Sequence, residues 1–580
     1  MLIGVGLIPA LGQDKPESIL PPGFGDPVTA PTPAPAPTGA RPAASPSGAP
    51  AGPDSTVPTP SASATPDATE TPTVDPAALA RYEMPEYARR SLDLVGPVGP
   101  AEGGLQANAF GREDGRFLET LMRRLDTPIA SRWLSIALRR ALVSRLATPH
   151  AINGADFAAE RAWLLLRMGE ATAARGVVQY VDADNYTPKL YEIALQTALA
   201  NGDPAALCSA ADGGAELRRE RGWILAQAMC AGLAGQPTKA QALIKSARDS
   251  GVAGGIDLLL AQKVAGSGAK GQQAVTIEWQ SVDRLTAWRY GLAMATGAEI
   301  PDSLFSTVAP NVQAWRALSP QLTARVRANP AEQAAVRGVF SNAALVDLYS
   351  AIDAEDDQSG AEVGIARDLR TAYTAEIPAR LDALKGLWDE PKTPDGRFAR
   401  LILTARASAR IPVDAGGADV DRLVASMLTA GLDRAAMRWH DKAPRYGDAW
   451  AMLALADPDP VVTSYADVRR YTPASEVDLK RQMLFAGLAG LGRMPAGDIT
   501  RGASGLDVPI GEDNAWTRAI AHAAMAREPA TVLLLAGVGM QTRLWHGVSP
   551  VALYHIVTAL RAVGQEGEAR MIAAEAIARL

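Results

Sequence analysis

Leu165-Leu166-Arg167-Met168-Gly169-Glu170-Ala171-Thr172-Ala173-Ala174 is the stretch on which the fold turns. An apolar run ends in a glycine, and five residues later an alanine stands inside the next run. Glycine adopts the left-handed conformation that closes a helix without a steric penalty, and a small alanine lets the following helix return at short range. Both features are met by two helices folded into an antiparallel hairpin.

The spacing of Gly169 and Ala174 recurs at Gly235 and Ala240, Gly431 and Ala436, and Gly564 and Ala569. The last pair belongs to Leu560-Arg561-Ala562-Val563-Gly564-Gln565-Glu566-Gly567-Glu568-Ala569, which continues to Leu580. These stretches resemble the inner turn of tetratricopeptide-type repeats, a likeness covering about a quarter of the helical body. The intervals between the glycines are 66, 196 and 133 residues, of which the first and third lie near multiples of the ~34-residue repeat. The family's full pattern of Trp, Leu-Gly and Tyr is complete in no single repeat, so the array is degenerate. The resemblance implies an all-α fold, an α-solenoid of antiparallel helical hairpins whose surface binds other macromolecules.

Around these turns the apolar residues follow a helical period, as in Phe117, Leu118, Leu121 and Met122, then Trp133, Leu134, Ile136, Ala137, Leu138 and Leu142. Clusters such as Asp182-Ala183-Asp184-Asn185, Asn201-Gly202-Asp203-Pro204 and Asp212-Gly213-Gly214 end one helix and begin another. Aromatics are only 5% of the chain, which suits helix-on-helix packing better than a large sheet. The helical pattern breaks near Gly297 to Pro310, dividing an N-terminal repeat region, 79–300, from a C-terminal one, 301–580.

Ahead of the helices the chain is different. Residues 1–13 form a short apolar segment ending in small residues, Ala10 and Gly12, which reads as the end of an export signal although its positive leading region is missing. Residues 14–78 are dominated by Pro, Ala, Thr, Ser and Gly and cannot bury a core, so they read as a disordered linker. No later stretch has the roughly 18 uncharged apolar residues a membrane span needs. These features place the protein in the periplasm or cell envelope, with the cytoplasm as the alternative.

A net charge of -6 with interspersed signs carries no footprint for nucleic acid. The basic residues are 47 Arg against 10 Lys, read as the mark of a GC-rich bacterial genome.

Tests for chemistry leave no catalytic residue, metal ligand or cofactor site to nominate. The loop Asp353-Ala354-Glu355-Asp356-Asp357-Gln358-Ser359-Gly360 places carboxylates as a calcium loop would, but Gln358 and Gly364 stand where a glycine and a glutamate are required. His150, His440, His522, His546 and His555 lack metal-ligand spacing, and Gly266-Ser267-Gly268-Ala269-Lys270-Gly271 lacks the phosphate-loop pattern. Periplasmic lytic transglycosylases also carry a helical superhelix, but of their catalytic signature only Gly539-Met540-Gln541 is present, without an upstream Glu-Ser pair.

Cys208 and Cys230 are the two cysteines, open to a disulfide in an oxidising compartment or to two buried thiols. A helix turn at Gly213 would set the sulfurs at different heights, against the bridge. The expectation is a non-enzymatic envelope scaffold or adaptor that binds protein or peptidoglycan-associated partners. The alternatives are a non-catalytic superhelical relative of cell-wall enzymes, or a cytoplasmic interaction protein with a Pro-rich tail.

Overall fold

The computed structural model describes residues 85–580 apart from 219, 269–274, 358, 416 and 460. The signal-like segment 1–13 and the linker 14–78 therefore lie outside the described residues, as do the first residues of the 79–300 region. Two compact units are distinguished, Gly25–Arg89, described only by the exposed turn Glu86–Ala88 and its flanks, and a far larger one containing Arg90–Leu580.

Within Arg90–Leu580 the fold is all-α. Its only named strands among the described residues are Leu94–Val95 and Leu146–Ala147, a two-residue antiparallel pair. Helix starts are set locally: Asp114, Ser131, Asn153, Thr187, Thr393 and Ser549 each accept a hydrogen bond from a backbone N–H of the first turn. Several ends are local too. Gly169, Gly235, Gly431 and Gly564 have φ of 92°, 74°, 71° and 80°, and the next N–H in each case reaches back to the carbonyl of Leu165, Ala231, Met427 or Leu560. The paired alanines, Ala174, Ala240, Ala436 and Ala569, are all buried.

The interruption at Gly297 to Pro310 lies within the compact unit that contains Arg90–Leu580. A 3-10 turn, Asp302–Thr307, links the helices Ala287–Thr296 and Pro310–Leu318. The second of these packs back against the first hairpin: a Cβ at Gly169 would sit 2.6 Å from that of Ala314.

The hairpins do not run out as an open array, because the two ends of the unit meet. The helix Arg132–Val143 packs against Pro529–Gly539 and Glu566–Arg579. Glu575, near the C-terminus, caps the start of that early helix: its carboxylate accepts from Ser131 Oγ at 2.7 Å, from Arg132 N at 2.9 Å and from Trp133 N at 3.3 Å. A buried carboxylate is thereby placed on three donors at the positive end of a helix. Ala130 N donates to Met540 O at 2.9 Å and Asp126 N to Gln541 Oε1 at 3.0 Å, so Gly539-Met540-Gln541 serves the closure.

Helix C-termini in this unit are completed by arginines from other segments of the chain. Arg161 donates to Ser144 O at 2.8 Å, Arg493 to Ala454 O at 2.7 Å, Arg561 to Leu491 O at 2.8 Å, Arg438 to Ala409 O at 2.7 Å and Arg327 to Ala317 O at 2.8 Å. The last carbonyls of a helix have no intrahelical donor, and a guanidinium supplies several donors with a favourable charge. The excess of arginine over lysine thus has a structural use. The cost is desolvation. Burial pushes the Arg161 guanidinium down to about 9, and that of Arg132 down to about 10 although Glu575 pulls the other way.

Candidate functional site

Cys208 and Cys230 are joined in a disulfide, with Cα atoms 5.4 Å apart. The height argument against that pairing rested on a turn at Gly213. Gly213 instead lies inside the helix Ala211–Arg218, and Cys208 follows a 3-10 turn, Pro204–Leu207, which packs directly on the helix Arg221–Leu233 that carries Cys230. An additional short helix between the cysteines removes the offset a simple hairpin would impose.

The acidic loop is spent on ion pairs. Arg325 reaches Glu355 at 2.5 Å and Asp357 at 2.8 Å, and Arg370 reaches Asp353 at 2.8 Å. Among the described residues no three His, Cys, Asp or Glu side chains are grouped to hold a metal ion, and no helix is long and apolar enough to cross a membrane. The Gly266–Gly271 stretch lies partly outside the described residues.

An opening lies beyond the second of the glycine turns. The helices Pro237–Asp249 and Gly255–Ser267 both pack on Arg221–Leu233 but touch each other little. They leave a groove of about 370 Å³ between them. Its floor is Ala240, Ile244 and Ala265, all buried, and its rim includes Gln241, Lys245, Arg248, Asp249 and Gln262. Lys245 and Asp249 pair at 2.6 Å across one helical turn, while Arg248 has no ion-pair partner among the described residues. An apolar floor with a hydrogen-bonding rim suits an apolar side chain presented on a polypeptide.

Of the residues singled out in the sequence, Ala240 and Gly266 line this groove. Gly169, Ala174, Gly431, Ala436, Gly564 and Ala569 close and pack other hairpins and are not brought together. Ile244, Gln241 and Gln262 gave no signal, because a helix with a narrow buried face reads alike whether its neighbour is close or held apart.

Comparison with protein-family models, with curated proteins and with solved structures finds no match to this chain. The tetratricopeptide resemblance rests on its own residues.

Proposed function

We propose that the protein is a non-enzymatic scaffold of the bacterial envelope that binds a protein partner through the groove between Pro237–Asp249 and Gly255–Ser267. The groove carries this reading: at about 370 Å³ it admits side chains, and its apolar floor and polar rim fit a segment of polypeptide. The export part is supported by the Cys208–Cys230 disulfide, since such bonds persist in oxidising compartments, and by the signal-like residues 1–13.

The test is site-specific photo-crosslinking in intact cells, with the reactive residue at Gln241 or at Gln262 and a control at exposed Lys392. A partner recovered from both groove positions and not from the control supports the scaffold; equal recovery from all three, or none, ends it. Trapping thiols in the same cells reads the compartment. An oxidised pair released with the periplasmic fraction fits export, and free thiols in the cytoplasm favour the cytoplasmic interaction protein.

A further inference from the structure

Closure of the unit builds a second cavity, remote in sequence from the groove. It measures about 250 Å³ and draws on five stretches of the chain: Pro128 to Ala130, Val336 with Arg337, Asp395, Arg543 with Leu544, and Arg579. Its apolar surface comes from Ile129, Ala130 and Val336, which are buried, and from Pro128 and Leu544.

Three guanidinium groups and one carboxylate line it. Arg579 is fully engaged: it donates to Ala130 O at 2.8 Å, pairs with Glu575 at 3.2 Å and with Asp395 at 3.0 Å, and lies 4.5 Å from the centre of the Phe398 ring. Asp395 is taken by that pairing. Arg337 uses only its Nη1, on Pro310 O at 2.9 Å, and Arg543 has no partner among the described residues. Arg337 is held below the ordinary arginine range, first by burial and also by the neighbouring positive charge of Arg543, against the pull of Asp395. Two cations with unused donors therefore share one cavity wall, beside apolar surface. Like charges placed together raise the free energy of the empty site, and an anion between them lowers it.

We infer that this seam cavity binds a carboxylate attached to a short apolar body, such as the last residue of a peptide chain. Arg337 and Arg543 take the carboxylate, and Ile129, Val336 and Leu544 cover the apolar part. A planar carboxylate matches the guanidinium fork, and hydrogen bonds between charged partners are about twice as strong as neutral ones. The site needs residues from both the early and the late helices of the unit, so it exists only when the unit is closed. It does not depend on the groove, and a partner at the groove neither supports nor weakens it.

The test is calorimetric titration of the full chain with N-acetylleucine, its uncharged amide and inorganic phosphate, at low salt and in 0.3 M sodium chloride. N-acetylleucine is expected to bind, more weakly in high salt, and the amide not at all. Arg543→Gln, at an exposed position, should weaken binding at least tenfold without moving the melting temperature, and Arg337→Gln, which also gives up the bond to Pro310 O, should weaken binding likewise. Absence of binding by N-acetylleucine overturns the inference. So does equal binding of the amide, an unchanged Kd in Arg543→Gln, or inorganic phosphate binding more tightly than the carboxylate.

Discussion

The helices Arg132–Val143 and Pro237–Asp249 are nearly equal in length but opposite in setting. Ten of the twelve residues of the first are buried, against three of the thirteen of the second. The first is enclosed by elements from early and late in the unit; the second rests mainly on Arg221–Leu233 and borders the groove. Each buried methylene contributes roughly 0.8 kcal/mol, so stability concentrates where the chain closes and binding surface is left where it does not.

The sharpest way to break this comparison is Glu575→Ala. Three donors at the start of Arg132–Val143 would lose their acceptor and Arg579 a partner, and a loss of about 3–5 kcal/mol is expected in urea denaturation. Glu568→Ala, which removes a half-exposed pair with Arg140 on the same C-terminal helix, should cost less than ~1 kcal/mol. Similar losses from both would mean that closure is not where stability lies.

At the periphery the disulfide is the main restraint. Replacing Cys208 and Cys230 together by serine opens a loop of sequence separation 22, with an expected loss of about 3 kcal/mol by loop entropy. Hydrogen exchange should accelerate between residues 204 and 267 and remain slow in Arg132–Val143; acceleration throughout would show that the two regions unfold as one.

A smaller effect is written in pH. Glu170 is buried beside Arg139, 2.8 Å away, and burial pushes its carboxyl up to about 7 despite that pairing. The folded state then binds more protons than the unfolded one between the ordinary glutamate value and about 7. Stability is greatest below that window and falls as pH rises through it, by at most ~1.4 kcal/mol per pH unit. Glu170→Gln should remove this component of the slope; an unchanged slope would assign it to other groups. The smallest change should come from Lys245→Ala at the groove rim, within ~0.5 kcal/mol by thermal melting, because its pair with Asp249 is exposed.

Much of this fold was legible because its signals are local. Gly169, Gly235, Gly431 and Gly564 mark left-handed helix ends, and a side chain such as Thr187 or Ser549 caps a helix with its own neighbours. Equivalent turns at Asp507 and Arg527 escaped a reading based on glycine, since both reach positive φ, 53° and 57°, with a side chain in place. The cysteine pairing stayed open in the sequence because deciding it needs the number of helices between Cys208 and Cys230, and the glycines at 213 and 214 resemble a turn. Nothing near Ser131 announces that its helix will be capped by Glu575, and nothing near Arg543 announces Arg337.

The sequence by itself determined that the described chain forms antiparallel helical hairpins, because helix period, caps and left-handed turns act within a few residues. Only the tertiary structure decided that the hairpins close on themselves, which carbonyls the arginines satisfy, and which cations are left facing a cavity. Those outcomes depend on burial and on charge pairing between segments hundreds of residues apart, and the free energy of such a pairing is a property of its surroundings.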